Sequence, residues 1–461
     1  MMCRQVEVRL RMMVNPAMGG CIQMIYRMLI PMIFASLLFA QPVLGFEFAI
    51  NVIDFGAVAD AKTDCTQAFQ RALDKAGKTG ETVYAPAGVY YFSGHIRVPS
   101  GVTLVGSWQG PPGRRIGTVL QVVEGHGDEA GTPFITLEGG AGVKGIVIEY
   151  PRQTADSDKP VPYPWTIRGL AEDCRVIDVL FYRAYQGIDF GTYPCSRPYI
   201  DGIYGSVLKR GIYLDGCVDV GRISNVHFTT FGFTYQGPMD KWKLANCEAF
   251  LIGKADWVWM HNCFALGVKI GFRFIRGMGG NGKRAGLPNY VQISHCGIDE
   301  SDTPIIVEEC SGLSFSQCVF KGKASRIEET NTQPVRFVQC NFSPVPGTRS
   351  LVEAAGRGRV SFTDCTFEFW DTLGDRSPAL LVDCTSFSVQ GSEFGTDNKP
   401  SFILGDGSLK TQIRITSRVQ SGLVIGNRLR YGKSIINESK GDVVISDNVT
   451  DDFDALIQKP N

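Results

Sequence analysis

Short apolar stretches, each closed by turn residues and a glycine, recur along most of the chain. Segments 176–191, 199–216, 222–237 and 259–275 superimpose, each with a short strand-like run, a turn and a second run opening at Gly187, Gly211, Gly232 and Gly271. These glycines lie 24, 21 and 39 residues apart, so the last interval holds one ordinary repeat plus an insertion. Further on, Cys296, Cys318 and Cys340 are spaced by 22 residues, and Cys365 follows 25 later. Ile298, Phe320, Phe342 and Phe367 each stand two positions beyond those cysteines, and Ser392 with Phe394 and Asn427 with Leu429 continue the register.

A period of about 22 residues built from short strands and glycine turns predicts a solenoid whose coils stack about 4.8 Å apart. Strands in parallel stacks must be covered or closed, and coiling the sheet upon itself closes them, with right-handed winding favoured. The expected fold is all-β, a single-stranded right-handed parallel β-helix with an N-terminal capping helix. The cap is predicted over residues 65–76, with Asp64 at its start, Ala68, Phe69, Ala72, Leu73 and Ala76 on one face, and Gly77 as its stop. The recurring Cys, Ser and Asn positions read as an internal ladder of buried thiols and amides beside an aromatic one. Cys195 and Cys217, in outer turns, are the pair expected to form a disulfide.

Composition narrows the function. The 461 residues carry 46 Lys plus Arg and 46 Asp plus Glu, without a basic stripe interleaved with aromatics, so nucleic acid is not an expected partner. Five histidines and no CxxC pair argue against a zinc site, and no metal or cofactor is expected. Arg27 precedes an apolar run over 28–40, and Val43, Leu44 and Gly45 lead to a cleavage-like position before Phe46. Residues 1–45 therefore read as a signal region, with 1–23 as an upstream start before Met24. The mature chain, 46–461, is expected to be secreted, outside the membrane, and to form one β-helix domain with insertions near 238–258 and 276–289. Its oligomeric state is left open.

The stretch NVIDFGAVADAKTDCTQAFQRALDKA at 51–76, followed by TVYAPAGVYYFSG at 82–94 and GVTLVGSW at 101–108, resembles the opening of the pectate-lyase-like superfamily. Rhamnogalacturonases, phage tailspikes and epimerases share that opening. The resemblance implies the capping helix and first coils of a right-handed β-helix. The later part, from residue 163 through 274, is similar to a bacterial subgroup of the superfamily. The four polygalacturonase motifs do not occur as a set, and the calcium-binding Asp cluster and Arg-x-Pro-x-x-Arg signature of pectate lyases are missing. The resemblance therefore transfers no catalytic residue.

Candidate chemistry comes from the repeats. Aligning the Gly-strand copies places Asp189, Tyr213, Thr234 and Arg273 in one column, with Asp215 and Gln236 two residues further on the same face. This patch is the expected floor of a sugar-binding groove for a polysaccharide substrate. The insertions would wall it, one ending in Lys254, Asp256, Trp257 and Trp259, the other a Gly-rich basic loop without the context of a nucleotide site. Glycoside hydrolysis needs two carboxylates about 5–9 Å apart. Asp256, beside two tryptophans, is the expected acid, partnered by Asp299, Glu300, Asp302 or Asp215. The alternative is a lyase, with a base and a cation for a uronate carboxylate drawn from Arg273, Lys254, Lys269, Arg276, Tyr213, His227, His261 or His295. A non-catalytic carbohydrate-binding β-helix is the third reading.

Overall fold

In the computed structural model, the described residues are 49–108, 115–278, 285–395 and 402–450. The signal region expected at 1–45 lies outside them, as does the middle of the second insertion. From Ile50 onward the chain winds as a right-handed parallel β-helix whose strands all join one continuous sheet network. Each coil contributes to three faces, A, B and C in chain order. Face A includes Thr82–Ala85, Thr103–Gly106 and, later, Leu313–Ser316 and Val335–Val338.

The coils that carry the site are built from β1 (Trp165–Gly169), β2 (Arg175–Phe190), β3 (Tyr199–Leu214) and β4 (Gly221–Phe228). They continue through β5 (Glu248–Ile252), β6 (Ala255–Leu266), β7 (Ile270–Phe274), β8 (Pro288–Ser294), β9 (Gly297–Ser301) and β10 (Thr303–Val307). β2 and β3 are long enough to run through all three faces. Their registers join Val176 to Ile200 on face A, Val179 to Ile203 on face B and Asp189 to Tyr213 on face C.

The capping helix α1 spans Thr66–Thr79 and buries Ala68, Phe69, Ala72, Leu73 and Ala76 against the first coils. Asp64 Oδ1 accepts from the Thr66 backbone N–H at 3.0 Å, anchoring the first turn. The helix passes the expected stop at Gly77, where a Cβ would come within 2.9 Å of Pro99. It ends at Gly80, whose φ of 78° supplies the left-handed terminator. Gly77 is thus a packing glycine.

From residue 142 onward, one left-handed residue turns face A into face B in every coil: Asp178 (φ 52°), Asn225 (φ 54°), Asn262 (φ 52°), His295 (φ 53°) and Gln317 (φ 53°) among them. The next residue points inward, and in successive coils it is Val179, Ile203, Val226, Cys263, Cys296, Cys318, Cys340, Cys365, Ser392 and Asn427. Such a corner leaves a buried backbone N–H without a strand partner, and where the next coil's ladder residue is polar its side chain accepts it, as Cys296 Sγ does from the Cys263 N–H at 3.4 Å. Cys365 N–H reaches Ser392 Oγ at 3.1 Å, and Ser392 N–H reaches Asn427 Oδ1 at 2.9 Å. The cysteines among the described residues all carry free thiols, including Cys195 and Cys217. The expected bridge between those two is absent; both side chains are fully buried.

Two aromatic stacks accompany the ladder. Phe337 lies between Phe315 and Phe362 at ring distances of 5.0 and 5.1 Å, and Phe367 lies between Phe342 and Phe394 at 5.1 and 4.4 Å. Parallel in-register coils bring identical residues to the stacking distance that aromatic rings favour.

Candidate functional site

Face C carries two outward rows whose composition changes from coil to coil. Arg168, Asp189, Tyr213, Leu251, Arg273 and Ile306 form one. Trp165, Gln186, Arg210, Glu248, Ile270 and Thr303 form the other. The expected column of Asp189, Tyr213 and Arg273 is therefore real, but its third member is Leu251. Gly232 imitates the repeat, yet Thr234 and Gln236 lie in the exposed connection before helix α2 (Pro238–Asn246). The first insertion is thus this connection plus α2. β5 and β6, which follow it, are ordinary coil strands.

Several of the expected residues hold the fold. Asp189 is fully buried, paired with Arg168 Nε at 2.5 Å, and accepts from the N–H groups of Gly191 and Thr192. Asp215 is fully buried too, and accepts from the N–H groups of Gly216, Lys254 and Met278 at 2.7 to 2.8 Å. These carboxylates staple the corners between faces C and A, so Asp215 is not poised against a glycosidic bond. Lys254 contributes its backbone to that staple.

The proposed pairing of Asp256 with the 299–302 cluster is not assembled. Asp256 stands exposed where face A begins, 3.4 Å from Asn289 Nδ2. Asp299, Glu300 and Asp302 lie on face B and its corner with face C, on the far side of the coil. Asp299 pairs with Lys321 at 3.0 Å, Asp302 with Lys323 at 2.6 Å, and Glu300 accepts from Tyr235 Oη at 2.6 Å. Gln236, Glu300 and Asp302 share a depression of about 400 Å³ with both lysines. Trp257 and Trp259 are on face A, away from Tyr213. Of the expected cations, Arg276 is bound to Glu309 at 2.8 Å, and Lys269 is exposed. His261 and His295 meet at the corner of faces A and B, while His227 is half-buried on face B.

What the repeats did not reveal is the cluster beside Arg210. Glu129, delivered by the connection between Thr118–Val122 and Ile135–Leu137, accepts from Lys209 Nζ at 2.7 Å, Tyr185 Oη at 3.0 Å and Arg210 Nη1 at 3.3 Å. Arg210 Nη1 also donates to Gln186 Oε1 at 2.9 Å. Burial pushes the Glu129 carboxyl upward, but the Lys209 and Tyr185 hydrogen bonds and the cationic charges outweigh it and hold its pKa below the ordinary value. Trp242 of α2 packs near Tyr185, with ring centroids 6.1 Å apart, so the insertion roofs this cluster.

Tyr213 lies on the same strand as Arg210. Its ring stacks on Trp165 at 6.4 Å, and its hydroxyl donates to Asp215 Oδ2 at 3.1 Å. Burial, reinforced by Asp215 and Asp189, raises its pKa well above the usual tyrosine value, so it remains a proton donor. Two coils on, Arg273 bridges Glu248 and Glu308, both at 2.7 Å. Burial lowers the Arg273 pKa, but its carboxylate partners more than reverse this. The result is a strip of cations, carboxylates and a protonated phenol between aromatic walls. Among the described residues no group of three or more His, Cys, Asp or Glu is placed to hold a metal, and no helix is long and apolar enough to cross a membrane. Reading each repeat three residues before Asp189 and Tyr213 would have found the second row, because Gln186 and Arg210 directly precede Gly187 and Gly211.

The capping helix, three-faced coils and left-handed corners define a parallel β-helix, and the first coils are similar to those of the pectate-lyase-like superfamily. Residues 49–118 match the family described as rhamnogalacturonase A/epimerase, pectate lyase-like. Alginate lyase 7 of Azotobacter vinelandii is 42% identical over 92 residues, which are 20% of this chain and 11% of that protein. Mannuronan C5-epimerase AlgE3 of the same organism is 40% identical over 83 residues, 16% of this chain and 4% of that one. The chain therefore matches only a small part of each relative's length. Among solved structures, the A-module of A. vinelandii mannuronan C-5 epimerase AlgE6 superimposes with a TM-score of 0.50 and 16% identity, covering 87% of this chain and 99% of that one. The N-terminal fragment of bacteriophage Phi29 gene product 12 gives 0.53 and 13%, covering 82% and 66%. These two establish the fold alone.

Proposed function

We propose that the protein is a secreted enzyme that abstracts the proton beside the carboxylate of a uronate in an acidic polysaccharide, cleaving the chain by β-elimination. The observation that carries this is the grip on Glu129: Lys209, Arg210 and the Tyr185 hydroxyl already surround one carboxylate on face C. A uronate carboxylate asks for the same donors, and neutralising it acidifies the adjacent C5–H. Among the described residues only Nη1 of the Arg210 guanidinium is engaged, which leaves further N–H groups for a ligand.

Glu248, which faces Arg210 in register on the next coil, is assigned as the base. It takes the C5 proton, the electron pair forms the C4=C5 double bond, and the C4–O4 bond breaks. Tyr213 gives its proton to the departing oxygen and is reprotonated from water. The similarity of short stretches of the chain to an alginate lyase and to mannuronan epimerases supports the reading. Epimerisation shares the first step and differs in returning a proton to C5. The apolar run at 28–40 supports export.

The test is to incubate the protein with alginate, polygalacturonate and rhamnogalacturonan while following the ultraviolet absorbance of the unsaturated uronide. A parallel reaction in D2O, read by NMR, reports exchange at C5. Rising absorbance supports elimination, and exchange without absorbance moves the reading to epimerisation. Neither signal from folded protein on any of the three overturns it.

A further inference from the structure

Face A carries a second set of ligand-type groups, on a different face from the strip around Arg210. Trp257, Trp259 and Tyr290 are 46, 41 and 54% exposed, large aromatic surfaces left in water on a rigid sheet. Trp257 and Tyr290 lie on neighbouring coils with ring centroids 5.1 Å apart, forming a shelf at the edge of the face. Trp259 lies two residues further along β6, with the Arg222 guanidinium 5.5 Å from its ring. Beyond Trp259 the registers run to Gln292 and Ser314, and those of His261 run to Ser294 and Ser316. These six residues line an open groove of about 450 Å³.

The floor decides what the groove fits. Hydroxyl, amide and imidazole groups repeat across it at the coil spacing of about 4.8 Å, and none of the lining side chains is a carboxylate or an amine. A nonpolar protein segment would leave these polar groups unpaired, and an acidic chain would meet cations only at the two ends of the row, Arg222 against the Trp259 ring and Arg336 beyond Ser314, with none along the floor between them. A polymer of neutral sugar rings satisfies both parts: ring faces lie on the tryptophans and tyrosine, and ring hydroxyls meet the repeating polar side chains. We infer that face A is a binding surface for a neutral polysaccharide, running across the coils from the Trp257–Tyr290 shelf over Trp259 towards Ser314. It goes beyond the acidic-glycan chemistry proposed for face C, and would hold the enzyme on a mixed cell-wall matrix whose acidic component it attacks.

Native affinity electrophoresis tests this without reference to catalysis, using gels containing hydroxyethyl cellulose, glucomannan or xylan, and alginate as the acidic control. The expected result is retardation by at least one neutral glycan. Trp257→Ala and Trp259→Ala should each weaken it by about tenfold or more. Ser314→Arg, which fills the groove without removing an aromatic group, should do the same. Arg210→Ala should leave retardation unchanged, so failure of the face C reading would not disturb this result. Thermal melts confirm that each variant is folded. No retardation by any neutral glycan, or retardation indifferent to both tryptophans and to Ser314→Arg, overturns the proposal.

Discussion

The coils between residues 165 and 307 and those between 313 and 446 share one winding but spend their side chains differently. The earlier coils have long strands, aliphatic ladder positions such as Val179, Ile203 and Val226, and a connection that swells into α2, and they receive the Glu129 arm from the coil before them. The later coils have strands of two to five residues, with thiols, Ser392 and Asn427 on the ladder and two stacked phenylalanine columns inside. Regularity marks the scaffold and irregularity marks the site. A position repeated in every coil is serving the stack, whereas chemistry requires a residue that its neighbours above and below do not copy.

Mutations can break this contrast, starting from the scaffold. Phe337→Ala removes a fully buried ring from between two others and should cost about 3–5 kcal/mol, read as a lower denaturant midpoint with turnover retained in native conditions. Arg210→Ala should do the reverse, lowering kcat/KM on a uronate polymer by about 10²–10³-fold with little change in melting temperature. A comparable loss from Phe337→Ala at a temperature where it is folded would erase the distinction. Asn427→Ala leaves the Ser392 N–H without its acceptor and should cost about 1–3 kcal/mol, measured by chemical denaturation.

The smallest effect concerns pH and lies in the earlier coils. Burial holds the His227 imidazole below its ordinary pKa near 6.5. Below that value the unfolded chain takes up a proton that the folded chain resists, so stability is full above pH 6.5 and declines as pH falls through the folded pKa. His227→Gln should flatten this part of the melting-temperature profile, and an unchanged slope would assign it to other groups.

The same contrast explains what could be read from the chain alone. Cys296, Cys318 and Cys340 reported the coil period because a buried N–H at each corner needs an acceptor in the following coil. Asp189, Tyr213 and Arg273 were placed in one row because their glycines stand at the same register position of face C. Gly232 misled because a local glycine-aromatic pattern is identical whether or not a strand partner exists, and only the partner strands reveal that β5 occupies that level. Asp256 looked catalytic beside two tryptophans, but the corner after face C turns all three onto another face. Glu129 carries no local signal, since its significance comes from Lys209, 80 residues away in sequence.

The one-residue corner between faces A and B sets a grammar for how this molecule can change length. Past residue 142 that corner keeps a single left-handed residue, while the other two corners absorb an arm, a helix and a basic loop. Loops at those two corners can be exchanged with no change in the winding, whereas an extra residue at the first would swing the inward side chain out of the ladder. A designer wishing to lengthen the protein should therefore cut from one left-handed corner to the next and graft a whole turn of the spiral. New specificity would be sought by replacing the connection that carries Glu129.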